Sequence, residues 1–216
     1  MKAKIELSII LLVFFTKMVD AQDTSSEHLD SLVDDFVTEL QVKNIDTICI
    51  FRDYCVGYYY SYNNEEDLCN DKDIVQTYIL WLEQGKTFLT KKDNCFDYST
   101  IEIDSVSLWN YFLKNQQYIE KEEVKRFNEH IVYENHKKVI VFDMIDHSCR
   151  QDFKMIINKR IIRKHFNESD LQEKQGNNIN MNYSYNQNLK SKKMIDELKQ
   201  LTRKVEDERR LSKTRR

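Results

Sequence analysis

The chain has no proline and only three glycines in 216 residues. Both residues punctuate turns in sheet proteins, proline by presetting φ and glycine by reaching positive φ without strain. Their scarcity predicts long helices joined by Asn, Asp and Ser turns. A strong net charge is missing too. The 33 basic and 36 acidic side chains leave a formal charge of -3, which gives no support to whole-molecule attraction to nucleic acid. No stretch reaches the roughly eighteen apolar residues of a membrane helix, so no membrane anchor is expected. HExxH, CxxC and GxSxG are absent. With glycine confined to Gly57, Gly85 and Gly176, a phosphate cradle or oxyanion-hole turn has little to build with. The pattern therefore assigns no catalytic, cofactor-binding or metal-ligating residues and no cofactor.

What is present begins with Leu7–Phe15 (LSIILLVFF), preceded by Lys2 and Lys4 and followed by Val19-Asp20-Ala21. A basic start, a short apolar run and small residues at a cut site form a secretory signal peptide, expected over residues 1–21. The product is then secreted and extracellular. In that compartment the five cysteines, Cys49, Cys55, Cys69, Cys95 and Cys149, are disulfide candidates. Two bonds leave one thiol over, either buried or linking two chains.

Apolar spacing predicts helices along most of the remainder. Leu29, Leu32, Val33, Phe36, Val37 and Leu40 mark one over Thr24–Lys43, with Thr24-Ser25-Ser26-Glu27 shaped like a capping box. Ile45–Tyr62 reads as a second, although its tyrosines also suit a strand. In a helix, Cys49 and Cys55 stand about 9 Å apart along the axis, beyond the roughly 7 Å limit for a bridge, and should bond other elements. Asp73–Gln84 with Gly85 as its stop, Ser105–Gln117 capped by Asp104, and Ile119–Tyr133 complete the series. Val139–Ile145 is β-branched enough for a buried strand, but helix is preferred because no mate is evident for a lone strand. Phe153, Ile156, Ile157 and Ile161 mark a last face. The expected fold class is all-α: a disulfide-stabilised helical domain over residues 24–166.

Composition changes at Asn167. Residues 167–188 are rich in Asn, Gln and Ser and read as a flexible, solvated linker. It carries two sequons, Asn167-Glu168-Ser169 and Asn182-Tyr183-Ser184, which make Asn167 and Asn182 N-glycosylation candidates. Residues 189–216 form a charged amphipathic helical tail. Its Met194, Leu198, Leu201 and Val205 make a two-heptad seam, shorter than the three or four heptads a coiled coil needs. Weak self-association through this helix stays open, and its removal is expected to leave the domain's thermal transition nearly unchanged.

Other clusters have plainer explanations. His147 and Cys149, near Asp143 and Asp146, could touch a metal, but a disulfide cysteine beside an exposed histidine accounts for them. Glu129, His130 and His136 suit a solvated helix edge. Lys159-Arg160-Ile161-Ile162-Arg163-Lys164 could bind a glycosaminoglycan, and Arg209-Arg210 or Arg215-Arg216 could be cut by dibasic-specific proteases. Solvated helix faces explain all three.

Val141-Phe142-x-x-Ile145-x-x-x-Cys149, with Phe153 and Phe166 behind it, resembles the closing segment of a nematode-type secreted cysteine-rich helical domain of unknown function. Ile48-Cys49-x5-Cys55 is similar to an earlier element of that family. Val141 stands where the family has a cysteine, and its extra cysteine soon after Cys55 is missing. The resemblance spans residues 45–166 and implies a secreted all-helical domain without a known catalytic role. The expected function is extracellular binding or a structural role, toward an unknown extracellular protein or glycan. A precursor cut at its basic pairs, or an enzyme with an unrecognised site, are the alternatives.

Overall fold

A computed structural model describes residues 24–55, 75–142 and 149–215. The expected signal segment 1–21, Cys69, Tyr58–Tyr62 and Asp143–His147 lie outside the described residues.

The all-α expectation is overturned: twelve strands accompany four α-helices among the described residues. Helix α1 (Thr24–Val42) leads into β1 (Thr47–Cys55), β2 (Thr77–Glu83), β3 (Lys86–Lys92), β4 (Phe96–Tyr98) and β5 (Ile101–Ile103). After α2 (Val106–Lys121) come the hairpins β6 (His130–Glu134) with β7 (Lys137–Val141), and β8 (Cys149–Ile157) with β9 (Arg160–Asn167). A 3-10 turn (Glu168–Leu171), β10 (Lys174–Gln175), β11 (Asn178–Ile179), α3 (Tyr183–Gln187), α4 (Lys190–Asp207) and β12 (Lys213–Arg215) follow. One antiparallel sheet runs β12-β4-β3-β2-β1-β8-β9, with β5 also alongside β3.

Helices cover the middle of this sheet on both faces. Ile48, Ile50, Ile79, Trp81 and Ile156 pack with Leu29, Val33, Val37 and Leu40 of α1. On the other face Cys49, Phe51, Tyr78, Leu80, Phe153 and Met155 share a core with α2 and α4. Central strands buried on both sides become continuous apolar runs. That is why Ile48–Phe51 and Tyr78–Trp81 fit a helical spacing as readily as a strand. The helices predicted over Ile45–Tyr62, Asp73–Gln84 and around Phe153–Ile161 are thus replaced by β1, β2 and the β8–β9 hairpin.

The missing turn residues have substitutes. Asn135-His136 and Asn158-Lys159 take φ of 48° and 62°, and 48° and 68°. These are the two left-handed positions of a type I′ hairpin, where Asn is tolerated. Gln84-Gly85 makes the same turn between β2 and β3 at 51° and 77°, so Gly85 ends no helix. The mate not found for Val139–Ile145 is the segment just before it: Val132 faces Val139 and Ile131 faces Ile140.

Two sequence-predicted helices stand. Helix α1 closes on Asn44 at φ 62°, with Ile45 N–H reaching the Leu40 carbonyl at 3.0 Å and Asn44 N–H the Gln41 carbonyl at 2.9 Å, a Schellman stop. Helix α2 starts one residue later than expected, with Ser105 at the cap. The tail helix α4 also forms, but as part of the body. Its Met194, Ile195, Leu198 and Val205 are buried in the α2 core, so the seam is occupied within the chain. Glu122, just beyond α2, caps it by accepting the Lys190 and Ser191 N–H groups at 2.8 and 2.9 Å.

The segment 167–188 is likewise built in. Asn180 and Asn186 are buried and donate to backbone carbonyls of Asp170, Gln172 and Lys125 at 2.7–3.0 Å. Buried amides require such partners. Here Asn180 ties together a loop poor in apolar side chains, and Asn186 fastens it onto Lys125.

Candidate binding groove

The register of the sheet sets the chemistry of the face under α1. Three cross-strand rows read Trp81–Ile48–Ile156–Ile161, then Ile79–Ile50–Lys154–Arg163, then Thr77–Arg52–Asp152–His165. The first row is apolar throughout, the second half-polar and the third polar. Helix α1 lies on the apolar part, where Phe36 meets Trp81 edge-on at 5.6 Å. Beside it a groove of about 470 Å³ remains, walled by Asp30, Val33 and Asp34 and floored by Ile50, Lys154 and Arg163 among others.

Each carboxylate in the groove can be traced to a partner. Asp30 holds Arg52 at 2.6 Å, and Arg52 Nε also donates to Thr77 Oγ1 at 2.8 Å. Asp34 stands 3.7 Å from Lys154. Asp152 accepts from the Tyr54 hydroxyl at 3.0 Å and from His165 Nδ1. His165 Nε2 faces Asn167 Oδ1 at 3.3 Å. An acceptor on either side favours the protonated ring, in which both nitrogens donate. The Asp152 hydrogen bond raises the His165 pKa above the usual histidine value, against the opposing effect of burial. Burial, and then the Asp152 charge, raise the Tyr54 phenol. Arg163 has no carboxylate within salt-bridge distance among the described residues.

A larger hollow of about 770 Å³ runs along the outer side of α4. Of its cations, Lys192 pairs with Asp196 at 2.7 Å, Lys199 with Asp53 at 3.2 Å and Lys204 with Glu208 at 4.0 Å, whereas the exposed Arg203 has no carboxylate within salt-bridge distance among the described residues. The groove under α1 is smaller but sets two cations, Lys154 and Arg163, directly opposite each other on neighbouring strands, and is the better candidate.

The predicted site residues fall elsewhere. Cys55 and Cys149, directly opposed on β1 and β8, form a disulfide. Cys95 is disulfide-bonded as well. Cys49 is a free thiol, fully buried in the core, and burial pushes its pKa up. With Cys149 oxidised, it offers no thiolate to a metal or a substrate. Among the described residues no group of three metal-ligating side chains occurs. The sequons differ. Asn182 is buried, its Nδ2 donating to the Arg126 and Glu129 carbonyls at 3.1 and 2.9 Å, whereas Asn167 is part-exposed and donates to Asp170 at 2.9 Å.

His130 begins β6 and His136 sits in its turn, so neither lies on a helix edge. Strand alternation divides the basic run of residues 159–164. Arg160 and Lys164 turn to the C-terminal end of α2, where they meet Glu120 and the Glu120 and Glu122 carbonyls, while Arg163 faces the groove. At the basic pairs, Arg210 donates to the Glu102 carbonyl at 2.7 Å, and the segment after it enters the sheet as β12, opposite β4.

Of the charged residues that border the groove, sequence analysis singled out only Arg163 and Lys164. Asp152 and His165 are thirteen positions apart, and only a hairpin register makes them neighbours. The findable signal was the polar–apolar alternation Asp152-Phe153-Lys154-Met155.

No protein-family model, no curated protein and no solved structure matches the chain. Of the residues behind the sequence resemblance, Cys49 and Cys55 lie on β1, Val141 on β7, Cys149 and Phe153 on β8 and Phe166 on β9, while Ile145 lies outside the described residues. The helical fold it implied is not the one observed.

Proposed function

We propose that this is a secreted binding protein, without catalytic activity, whose ligand occupies the groove between α1 and strands β1, β8 and β9. The observation that carries the reading is the incomplete cover of the sheet. Helix α1 seals the apolar rows and leaves a half-enclosed polar floor of a size suited to a small ligand. A disulfide between Cys55 and Cys149 fits an oxidising compartment and pins the two strands that form the floor. The hydrogen bonding of His165 supports binding over catalysis. A general base needs a free lone pair within reach of substrate, and both ring nitrogens here face acceptors.

The test is a fragment screen read by amide chemical shifts on the isotope-labelled, oxidised protein. Perturbations should cluster at Ile50, Arg52, Asp152, Lys154 and Arg163. Clustering along α4 instead, or no clustering, would sink the groove as the ligand site. Export is checked separately by expressing the full sequence in eukaryotic cells, where the medium should contain the chain beginning near Gln22.

A further inference from the structure

Lys154 and Arg163 are directly opposed across β8 and β9, on the face that α1 leaves open. Directly opposed side chains on neighbouring strands have Cβ atoms about 5 Å apart, and like charges placed there are destabilising. His165, two residues from Arg163 on the same strand, adds charge to the same patch when protonated. Within the fold the compensation is incomplete. Asp34 reaches only Lys154, at 3.7 Å, Asp30 is committed to Arg52, and Asp152 is shared by Tyr54 and His165. An anion between Lys154 and Arg163 would remove the repulsion and complete the row.

We propose that the groove holds the anionic group of a small organic acid, a carboxylate, sulfate or phosphate ester, between Arg163 and Lys154, with its apolar part toward Ile50. This rests on the binding reading above and names its ligand chemistry. Arg163 supplies a planar fork suited to two oxygens of such a group. Lys154 supplies a point charge, and His165 acts at longer range. An extended polyanion fits poorly. The carboxylates of Asp30 and Asp34 line the opposite wall, two other cations of the basic run, Arg160 and Lys164, are engaged at the end of α2, and the remaining one, Lys159, sits in the hairpin turn.

Amide and arginine Nε shifts decide the matter, with sodium sulfate and sodium butyrate as probes against sodium chloride at matched ionic strength. The expected result is saturable shifts at Ile50, Lys154, Arg163 and His165 with sulfate or butyrate. Affinity should fall at least five-fold in Arg163→Gln, whose exposed side chain the core does not need, and stay unchanged in Arg160→Gln. Shifts equal to those of chloride, or unaffected by Arg163→Gln, would overturn the anion site. A heparin tetrasaccharide weakened equally by Arg163→Gln and Arg160→Gln would overturn it in favour of a polyanion surface. Neutral 1-butanol separates the two levels. Groove shifts with butanol but not with the acids reject the anion chemistry and keep the groove, whereas silence with every probe rejects both.

Discussion

The Lys91 ammonium, nearly fully enclosed on β3, meets the Glu206 carboxylate of α4 at 2.8 Å. Tyr78 donates to the same carboxylate at 2.9 Å, and the ammonium lies 4.2 Å from the centre of the Tyr98 ring. Removing one partner of an enclosed pair strands the other, but Glu206 is partly open to water. Glu206→Ala should therefore cost only about 2 kcal/mol. Leu198→Ala, fully buried, should cost about 2–5 kcal/mol. Deleting residues 189–216 should abolish the cooperative transition, since α4 supplies a wall of the core. Urea denaturation of the three variants checks this, and a deletion that melts like the full chain would mean α4 packs elsewhere.

Cys49 and the Cys55–Cys149 bridge make opposite predictions on β1. In the native oxidised protein, iodoacetamide should leave Cys49 unmodified for hours and label it within minutes in denaturant, because both burial and a raised pKa suppress the thiolate. The bridge closes 94 residues of sequence, and Cys55→Ser with Cys149→Ser should lower stability by about 2–4 kcal/mol. A non-reducing peptide map that lacks the Cys55–Cys149 peptide would contradict the strand pairing itself.

Asn182 uses its amide to hold the backbone of Arg126 and Glu129. A glycan on that nitrogen would break at least one bond and require the side chain to leave the interior. Glycopeptide mapping of folded, secreted protein should find Asn182 bare and any glycan at the more open Asn167. Asn182→Ala should cost about 1–3 kcal/mol by leaving carbonyls unpaired.

His165 gives stability a pH dependence whose sign is fixed by the direction of its shift. Asp152 on β8 favours the imidazolium and Arg150 opposes it, with the hydrogen bond dominant. A raised folded pKa means that the contribution is complete below about pH 6.5, the ordinary histidine value, and is lost as pH rises through the folded value. The difference in melting temperature between wild type and His165→Gln should be largest near pH 5 and shrink above neutrality. A gap constant from pH 5 to 8 would show that the ring does not titrate against Asp152.

The elements legible in the sequence were those with one buried face. Helices α1 and α2, and the existence of α4, follow from apolar spacing alone. The strands were missed for two physical reasons. Ile48–Phe51 and Tyr78–Trp81 are buried on both sides, which erases the two-residue period that marks a strand. The scarcity of glycine and proline was taken to exclude hairpins, yet Asn135 and Asn158 reach positive φ in their place. The groove was less legible still, because its rows exist only in the β1–β8–β9 register and its residues come from four separate stretches of chain.

That substitution of asparagine for glycine can be measured at Asn158, the first left-handed position between β8 and β9. Left-handed backbone costs roughly 1–2 kcal/mol for an ordinary L residue, and Asn lowers that cost by local hydrogen bonding. A β-branched side chain is worse placed there than any other. Asn158→Gly should keep or slightly raise stability, whereas Asn158→Val should lower it by about 1–2 kcal/mol and weaken amide protection along β9. The β8–β9 pair carries both the Asp152–His165 contact and the Lys154–Arg163 opposition, so the same valine variant should lose the groove's response to sulfate before it unfolds. If valine is tolerated with both features intact, the turn is not type I′ and the register that builds the groove is wrong.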